Sequence, residues 1–356
     1  MKVLFAPYYP SNPYQKALGE ALGRGNVTVD TVTDGPFLPL LGAYLRTRDV
    51  DVLHLHWLHA YFHAPWAPLF YLRAAVLVVQ LLVLRLLGVR VVWTLHNLTS
   101  HESPTVAGEA AFKRLFVTHL CDAVVVHCDV AVDRAVETYG LSPAARAKLH
   151  VVPHGHYLDR YETEGDATAA RAALDLPPDA TVSLFFGMIR PYKNVPALIE
   201  TFSRVAGADD YLLVAGNPHA DEVREAVERA AAADDRVRTR LEYVPADDAQ
   251  TYMLAADAVV LPFRDTLTSG SAVLAMSFGR AFVSPAIGCL PALVGDDGGA
   301  VLYDPDDPEG LAEALRSLAG RDLAAMGARN RERIAANDWD TIADRTAEVY
   351  RDVAER

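Results

Sequence analysis

Along this chain, short apolar runs rich in β-branched residues alternate with helix-length stretches, and the whole alternation occurs twice. Residues 3–6, 52–55, 89–95, 123–127 and 151–153 read as strands in the first half, each bounded by Gly, Pro or polar residues. The pattern restarts with strands expected at 181–186, 211–215, 240–244, 258–261, 281–284 and 300–302. Helices are expected between them, for instance over 220–232 and 246–255. Strands that are apolar nearly throughout cannot leave one face in water, so with intervening helices they form parallel sheets covered on both sides. The expectation is an α/β chain of two doubly wound domains facing a cleft, where such sheets bind ligands. Residues 1–160 read as the first domain and 161–338 as the second, with 339–356 a C-terminal helix returning to the first. Residues 159–178, polar, Ala-rich and strandless, read as the linker region.

With 356 residues, 51% of them hydrophobic and 22% charged, the chain can build two ordinary cores and lacks a disordered composition. Its net charge of −13 is unevenly spread: residues 1–150 hold 13 Lys and Arg against 11 Asp and Glu, leaving 20 against 35 for the rest. So acidic a chain is a poor nucleic-acid binder, and nucleic acid is not expected as a partner. The less acidic N-terminal half is the better side for an anionic membrane or a diphosphate-linked acceptor. Cys121, Cys128 and Cys289 form no Cys-x-x-Cys pair and leave an odd one, which fits a reducing cytoplasm and argues against a disulfide or zinc framework. Residues 70–87 are nearly all apolar and about as long as a membrane span. Arg73, Gln80 and Arg85 interrupt them, and charge at mid-bilayer is costly. Arg73 and Arg85, twelve residues apart, are read as sharing roughly one helical face. An amphipathic helix packed on the sheet is expected, its other face available to a membrane surface.

Two turns carry the strongest chemical signal. In Gly187-Met188-Ile189-Arg190-Pro191-Tyr192-Lys193, a strand ends at a glycine that lets a ligand approach the backbone, and two cations follow that can clamp a diphosphate. In Thr268-Ser269-Gly270-Ser271, a strand gives way to a helix whose first N–H groups and dipole favour an anion, with hydroxyl donors beside them. Either turn alone has a plain alternative, exposed loop cations in the first and an N-cap serine in the second. Two anion-suited turns in one domain point to a diphosphate site.

The order of these pieces resembles a known family. Gly187-x-x-Arg190-x-x-Lys193, then Ala256-Asp257-Ala258-Val259-Val260-Leu261-Pro262, then the glycine-containing turn, then Ala275-Met276-Ser277-Phe278-Gly279 is similar to the donor domain of family-4-like GT-B glycosyltransferases. The N-terminal half agrees through Asp51-Val52-Leu53-His54-Leu55-His56-Trp57, Trp93-Thr94-Leu95-His96-Asn97 and Val152-Pro153-His154-Gly155. The resemblance implies two Rossmann-like domains, a nucleotide-sugar co-substrate and an enzyme that moves a hexose to a saccharide or lipid-linked acceptor. The retaining members carry two glutamates whose places fall here on Thr266 and Leu274. The Thr-Ser-Gly-Ser turn is closer to β-mannosyltransferases that extend lipid-linked oligosaccharides in exopolysaccharide assembly. That similarity implies a nucleotide-sugar donor, GDP-mannose being the candidate, and an inverting reaction. Arg190 and Lys193, able to neutralise a departing diphosphate, make a metal cofactor unnecessary, and the cysteines with residues 70–87 suit a cytoplasmic protein peripheral on the inner face of the membrane.

Eleven of the 12 histidines lie between His54 and His156. The spacing His54-x-His56-x2-His59-x3-His63 could suit zinc, but no acidic or Cys ligand lies among them, and residues lining a cleft are the simpler reading. An inverting transfer needs a general base for the acceptor hydroxyl. Glu102 and His101 are favoured for it, with His96, at a strand end, as a further catalytic contact. Donor-binding residues are Gly187, Arg190, Lys193, Thr268, Ser269, Gly270 and Ser271. Tyr8, Asn12 and Gln15, which follow the first strand, and His56 are the acceptor candidates. Two rival functions share the architecture: a sugar-nucleotide epimerase, which would convert donor alone, and a non-catalytic saccharide- or nucleotide-binding module, which would bind without turnover.

Overall fold

The computed structural model describes residues 1–33, 38–99, 106–161, 165–296 and 298–355, with backbone only at 106 and 107. The chain divides into two compact units, residues 1–155 with 337–356, and residues 156–336. Each is built on a six-stranded parallel sheet. The first contains β1 (Lys2–Ala6), β2 (Thr28–Thr31), β3 (Val52–Leu55), β4 (Arg90–Thr94), β5 (Ala123–Val126) and β6 (Leu149–Val151), in the order β2-β1-β3-β4-β5-β6. The second contains β7 (Thr181–Phe186), β8 (Asp210–Ala215), β9 (Val237–Arg240), β10 (Ala258–Val260), β11 (Ala281–Pro285) and β12 (Ala300–Tyr303), in the order β12-β11-β10-β7-β8-β9. Strand order reverses between β1 and β3 in one unit and between β7 and β10 in the other. Loops leaving such neighbours diverge to opposite faces and open a crevice at the carboxyl ends.

The central strands are buried along their whole length, as their apolar runs require: Val52–Leu55, Ala123–Val126 and Ala258–Val260 have no exposed residue. The edges depart from expectation. β2 has no apolar run; Thr28 and Thr31 are exposed, and only β1 pairs with it. β9 runs over Val237–Arg240, not 240–244, because its only partner, β8, ends at Ala215, opposite Arg240. β6 sits two residues ahead of the expected 151–153 and pairs with β5 from Leu149 to Val151. The expected linker contains a helix, Ala167–Ala173, capped by Asp166, whose carboxylate accepts from Thr168 N at 2.8 Å. Arg171 fastens that helix to the second unit through Asp257 (2.8 Å) and the Ala255 carbonyl (3.1 Å).

Four helices of the first unit matter below: α1 (Pro13–Arg24), α2 (Pro39–Thr47), α3 (Ala67–Leu86) and α4 (Val106–Leu115). α3 buries Phe70, Ala74, Leu77, Gln80, Leu81 and Leu84, one stripe at helical spacing. Gln80, buried in that stripe, accepts a hydrogen bond from Leu40 N at 3.1 Å and so joins α3 to α2. Arg73 and Arg85 do not share a face. Twelve residues rotate a helix by roughly 120° beyond whole turns, which places them on opposite flanks of the buried stripe. Arg73 donates to the His63 carbonyl, and Arg85 pairs with Asp122 at 2.7 Å.

The C-terminal helix, Trp339–Ala354, packs on α1 and buries Trp339, Ile342, Tyr350 and Val353. Gly155 is obligatory there: a Cβ at that position would fall 2.6 Å from the Trp339 ring. α4 carries a fully buried ion pair, Glu109 to Lys113 at 2.7 Å, with side chains 0% and 3% exposed. Lys113 also donates to the Leu98 carbonyl at 2.8 Å, bracing the loop after β4. Removing one partner of such a pair strands a charge in the core. Lys113→Ala is therefore expected to destabilise the first unit by about 3 kcal/mol. Urea unfolding followed by tryptophan fluorescence reads this unit alone, since Trp57, Trp66, Trp93 and Trp339 all belong to it; an unchanged midpoint would show that the pair adds nothing.

Candidate functional site

In the second unit, the loops after β7 and β10, neighbours at the strand-order reversal, bring the two sequence turns together. β7 ends into Gly187, whose φ of 117° is a conformation that L side chains rarely adopt. Its neighbour Gly216, at the end of β8, is closer still: a Cβ there would lie 2.0 Å from the Gly187 carbonyl oxygen. The β7 loop is held to β8 by Ile189 N donating to the Asn217 carbonyl (2.9 Å) and His219 N to the Ile189 carbonyl (2.9 Å). Arg264 N donates to the Tyr192 carbonyl at 2.8 Å and ties the same loop to the one after β10.

Within that frame, Lys193 Nζ lies over the rings of Phe263 (5.6 Å) and Phe185 (5.8 Å). Burial, and then the positive charge of Arg190, bring its pKa down to about 8. Thr266 Oγ1 donates to the Thr268 carbonyl at 2.8 Å and shapes the second turn. Ser269 is the N-cap of helix Gly270–Ser277, accepting from Ala272 N at 3.1 Å, so its hydroxyl serves the helix. Ser271 is the hydroxyl that meets the lysine: from the point where a Gly187 Cβ would sit, Lys193 Nζ is 3.6 Å away and Ser271 Oγ 3.8 Å. Gly187, Lys193 and Ser271 thus converge on one place, with the exposed N-terminus of a helix at Gly270 beside it. A cation, a hydroxyl and free N–H groups around a spot with no side chain can hold a phosphate oxygen.

In the first unit, histidines line the carboxyl ends of four adjacent strands. His56 follows β3, His96 follows β4, His127 follows β5 and His154 follows β6. Tyr14 of α1 stands among them, its ring 4.9 to 6.0 Å from those of His154, His96, His127 and His56. His96 stacks on Trp57 at 4.6 Å and 11° and approaches His56 Nδ1 with Nε2 at 3.4 Å. Burial holds the pKa of His127 at about 4 and of His54 and His154 at about 3, and pushes His56 and His96 well down, with neighbouring imidazoles adding to the effect. These rings are neutral at pH 7. His54, deeper in the sheet, bonds Thr94 Oγ1 at 2.7 Å and the Tyr350 hydroxyl. Among the described residues, no three His, Cys, Asp or Glu side chains assemble as a metal-ligand set.

The other expected residues fare differently. His101 and Glu102 lie outside the described residues. Asn12 caps α1, accepting from Tyr14 N and Gln15 N at 3.0 and 3.3 Å. Gln15 is fully buried, donating to the Pro7 carbonyl at 2.7 Å and accepting from Tyr9 N at 2.9 Å. The expectation that Gln15 touches an acceptor is corrected: it closes the β1–α1 loop from inside, and Asn12 serves the same loop. Tyr8, half-buried after β1, donates its backbone N–H to the Val32 carbonyl at 2.7 Å, beyond the end of β2. Sequence reasoning did not single out His127 or Tyr14. The usable signal for His127 was its place directly after the Ala123–Val126 run.

Residues 180–321, from β7 past β12, match the family Glycosyl transferases group 1. The chain is 29% identical over 286 residues to the GDP-mannose:glycolipid 4-beta-D-mannosyltransferase of Xanthomonas campestris pv. campestris, spanning 80% of this chain and 73% of that one. It is 30% identical over 276 residues to the D-inositol 3-phosphate glycosyltransferase of Kineococcus radiotolerans, spanning 71% of this chain and 62% of that one. Among solved structures, sucrose-phosphate synthase from Thermosynechococcus elongatus has a TM-score of 0.78 at 20% identity, covering 99% of this chain and 98% of its own. Anabaena HepE, solved in complex with UDP and glucose, has a TM-score of 0.76 at 16% identity, covering 98% of each chain. The chain belongs to the group 1 glycosyltransferases, with the GT-B fold.

Its neutral histidines make the first unit of this glycosyltransferase sensitive to acid. Their folded pKa values lie below the unfolded value near 6.5, so between about pH 6.5 and 4 the unfolded chain binds protons that the folded one refuses. Stability is complete above that window and is lost as pH falls through it. Urea midpoints by tryptophan fluorescence should therefore fall from pH 7 to pH 4.5. His127→Gln, which removes one such group, should make the fall shallower, and an identical slope in the variant would refute the assignment.

Proposed function

We propose that this glycosyltransferase moves mannose from GDP-mannose to a lipid-linked saccharide, inverting the anomeric carbon and working without a metal ion at the cytoplasmic face of a membrane. The observation that carries the reading is the convergence of Gly187, Lys193 and Ser271 at the strand-order reversal of the second unit. The donor identity and the acceptor class are supported by the likeness to the Xanthomonas mannosyltransferase. The inverting course is supported by Thr266 and Leu274, uncharged and buried where retaining relatives of the family carry glutamates.

In the proposed reaction, the acceptor hydroxyl oxygen forms a bond to the anomeric carbon as the bond from that carbon to the diphosphate oxygen breaks. The electron pair leaves with the diphosphate. Arg190, Lys193 and the N–H groups at Gly270 and Ser271 take up the negative charge that develops there. The acceptor proton passes to a general base. Among the described residues His96 is the candidate for this role, partly exposed at a strand end and fixed by its stack on Trp57. The two cations provide the charge neutralisation for which other transferases recruit a divalent ion.

A thermal-shift panel tests the donor, since a ligand of the folded state raises its melting temperature. GDP-mannose should shift it and UDP- and ADP-sugars should not; a larger shift with another nucleotide would replace the donor. Lys193→Ala and Arg190→Ala should each lower kcat by about a hundredfold or more with an unchanged melting temperature. Near-normal transfer by both would end the phosphate assignment, and epimerised donor in the absence of acceptor would favour the epimerase alternative. Transfer should persist in excess EDTA; loss of activity restored by a divalent cation would overturn the metal-free reading.

A further inference from the structure

α3 has two apolar sides, and the protein covers one of them. The stripe from Phe70 to Leu84 packs inward against β4 and α2. On the opposite side Leu72, Val79, Leu82 and Leu86 are 61%, 55%, 47% and 87% exposed. Their spacing of seven, three and four residues keeps them on one line along the helix. Trp66 and Tyr71 stand exposed at the start of the helix, and Leu45 of α2, the helix joined to it through Gln80, is 67% exposed. Soluble proteins rarely leave so long an apolar surface open unless something binds it.

Charge identifies the occupant. In a chain of net charge −13, no Asp or Glu occurs from Val52 to His101, and none from Gly35 to Arg48. The cations of those segments are Arg46, Arg48, Arg73, Arg85 and Arg90, of which Arg46, Arg48 and Arg73 are exposed. A core requirement accounts for the buried positions; it does not account for the missing acids on exposed ones. We propose that the outer face of α3, with Leu45, Arg46 and Arg48 at its side, docks on an anionic lipid surface, the apolar line entering the acyl boundary and the arginines meeting phosphate headgroups. The aromatic pair Trp66 and Tyr71 suits the level between headgroup and acyl chain. The helix lies on the bilayer and does not cross it, because the Gln80 bonds to α2 and the Arg85–Asp122 pair hold it in the first unit.

Vesicle flotation of the full-length protein tests this, and it is independent of which sugar is transferred. The protein should float with phosphatidylcholine vesicles containing phosphatidylglycerol, less with pure phosphatidylcholine, and less again in high salt. The double variant Leu72→Glu/Leu82→Glu should bind the anionic vesicles about tenfold less or weaker, at an unchanged melting temperature. Leu86→Glu, the most exposed site, repeats the test should the double variant prove less stable. Transfer to a water-soluble acceptor should be the same in variants and parent, so a failed membrane proposal and a failed transfer reading give different results. The proposal is overturned if the parent does not float with anionic vesicles, or if the variants float as it does. It is also overturned if sedimentation shows that the face joins two copies and the variants merely become monomeric.

Discussion

Parallel pairing is the constraint from which the rest follows. Two parallel neighbours cannot be joined by a tight turn; the chain must cross back over the sheet, and a helix is the economical way to do it. Both faces are then covered, the central strands become apolar throughout, and all connections of one polarity gather at the carboxyl edge. There the chain is released from the ladder and free to carry chemistry. In each unit the order reverses beside the first strand, and that is where unlike loops come to lie side by side. Gly187–Lys193 and Thr268–Ser271 are far apart in sequence, yet they follow β7 and β10, which are hydrogen-bonded neighbours.

The sequence was most legible where this constraint is strongest. Val52–Leu55, Ala123–Val126 and Ala258–Val260 are central strands, and their unbroken apolar runs have no competing explanation. Legibility fails at the edges. Thr28–Thr31 has one neighbour and half-exposed side chains, so it needs no apolar run and left none to read. The end of β9 is set by β8, a partner invisible in its own residues. In the donor half, glycine, cations and hydroxyls mark the site directly. In the other half Asn12 and Gln15 carry functional-looking side chains, and only the fold discloses that both are used to close the loop after β1.

The histidines illustrate the same limit from another direction. Eleven in about a hundred residues invite a metal reading, but spacing along the chain is not proximity in the fold. Four of them come together because each follows a different strand of one sheet, and their rings surround Tyr14. Their rings meet Tyr14 and Trp57 through faces and edges. An imidazole that is buried among others and kept neutral can accept a proton, and its environment penalises keeping it.

The electrostatics of the second unit are arranged in the opposite sense. Lys193 sits among aromatic rings, and burial followed by the charge of Arg190 brings its pKa down to about 8. The cost is incurred on folding, before any ligand arrives. A diphosphate between these groups reverses the sign of the local interaction, so the repulsion built into the free protein becomes part of what favours the bound state. In the proposed transfer the effect grows as charge accumulates on the departing oxygen, because the cations already occupy their places.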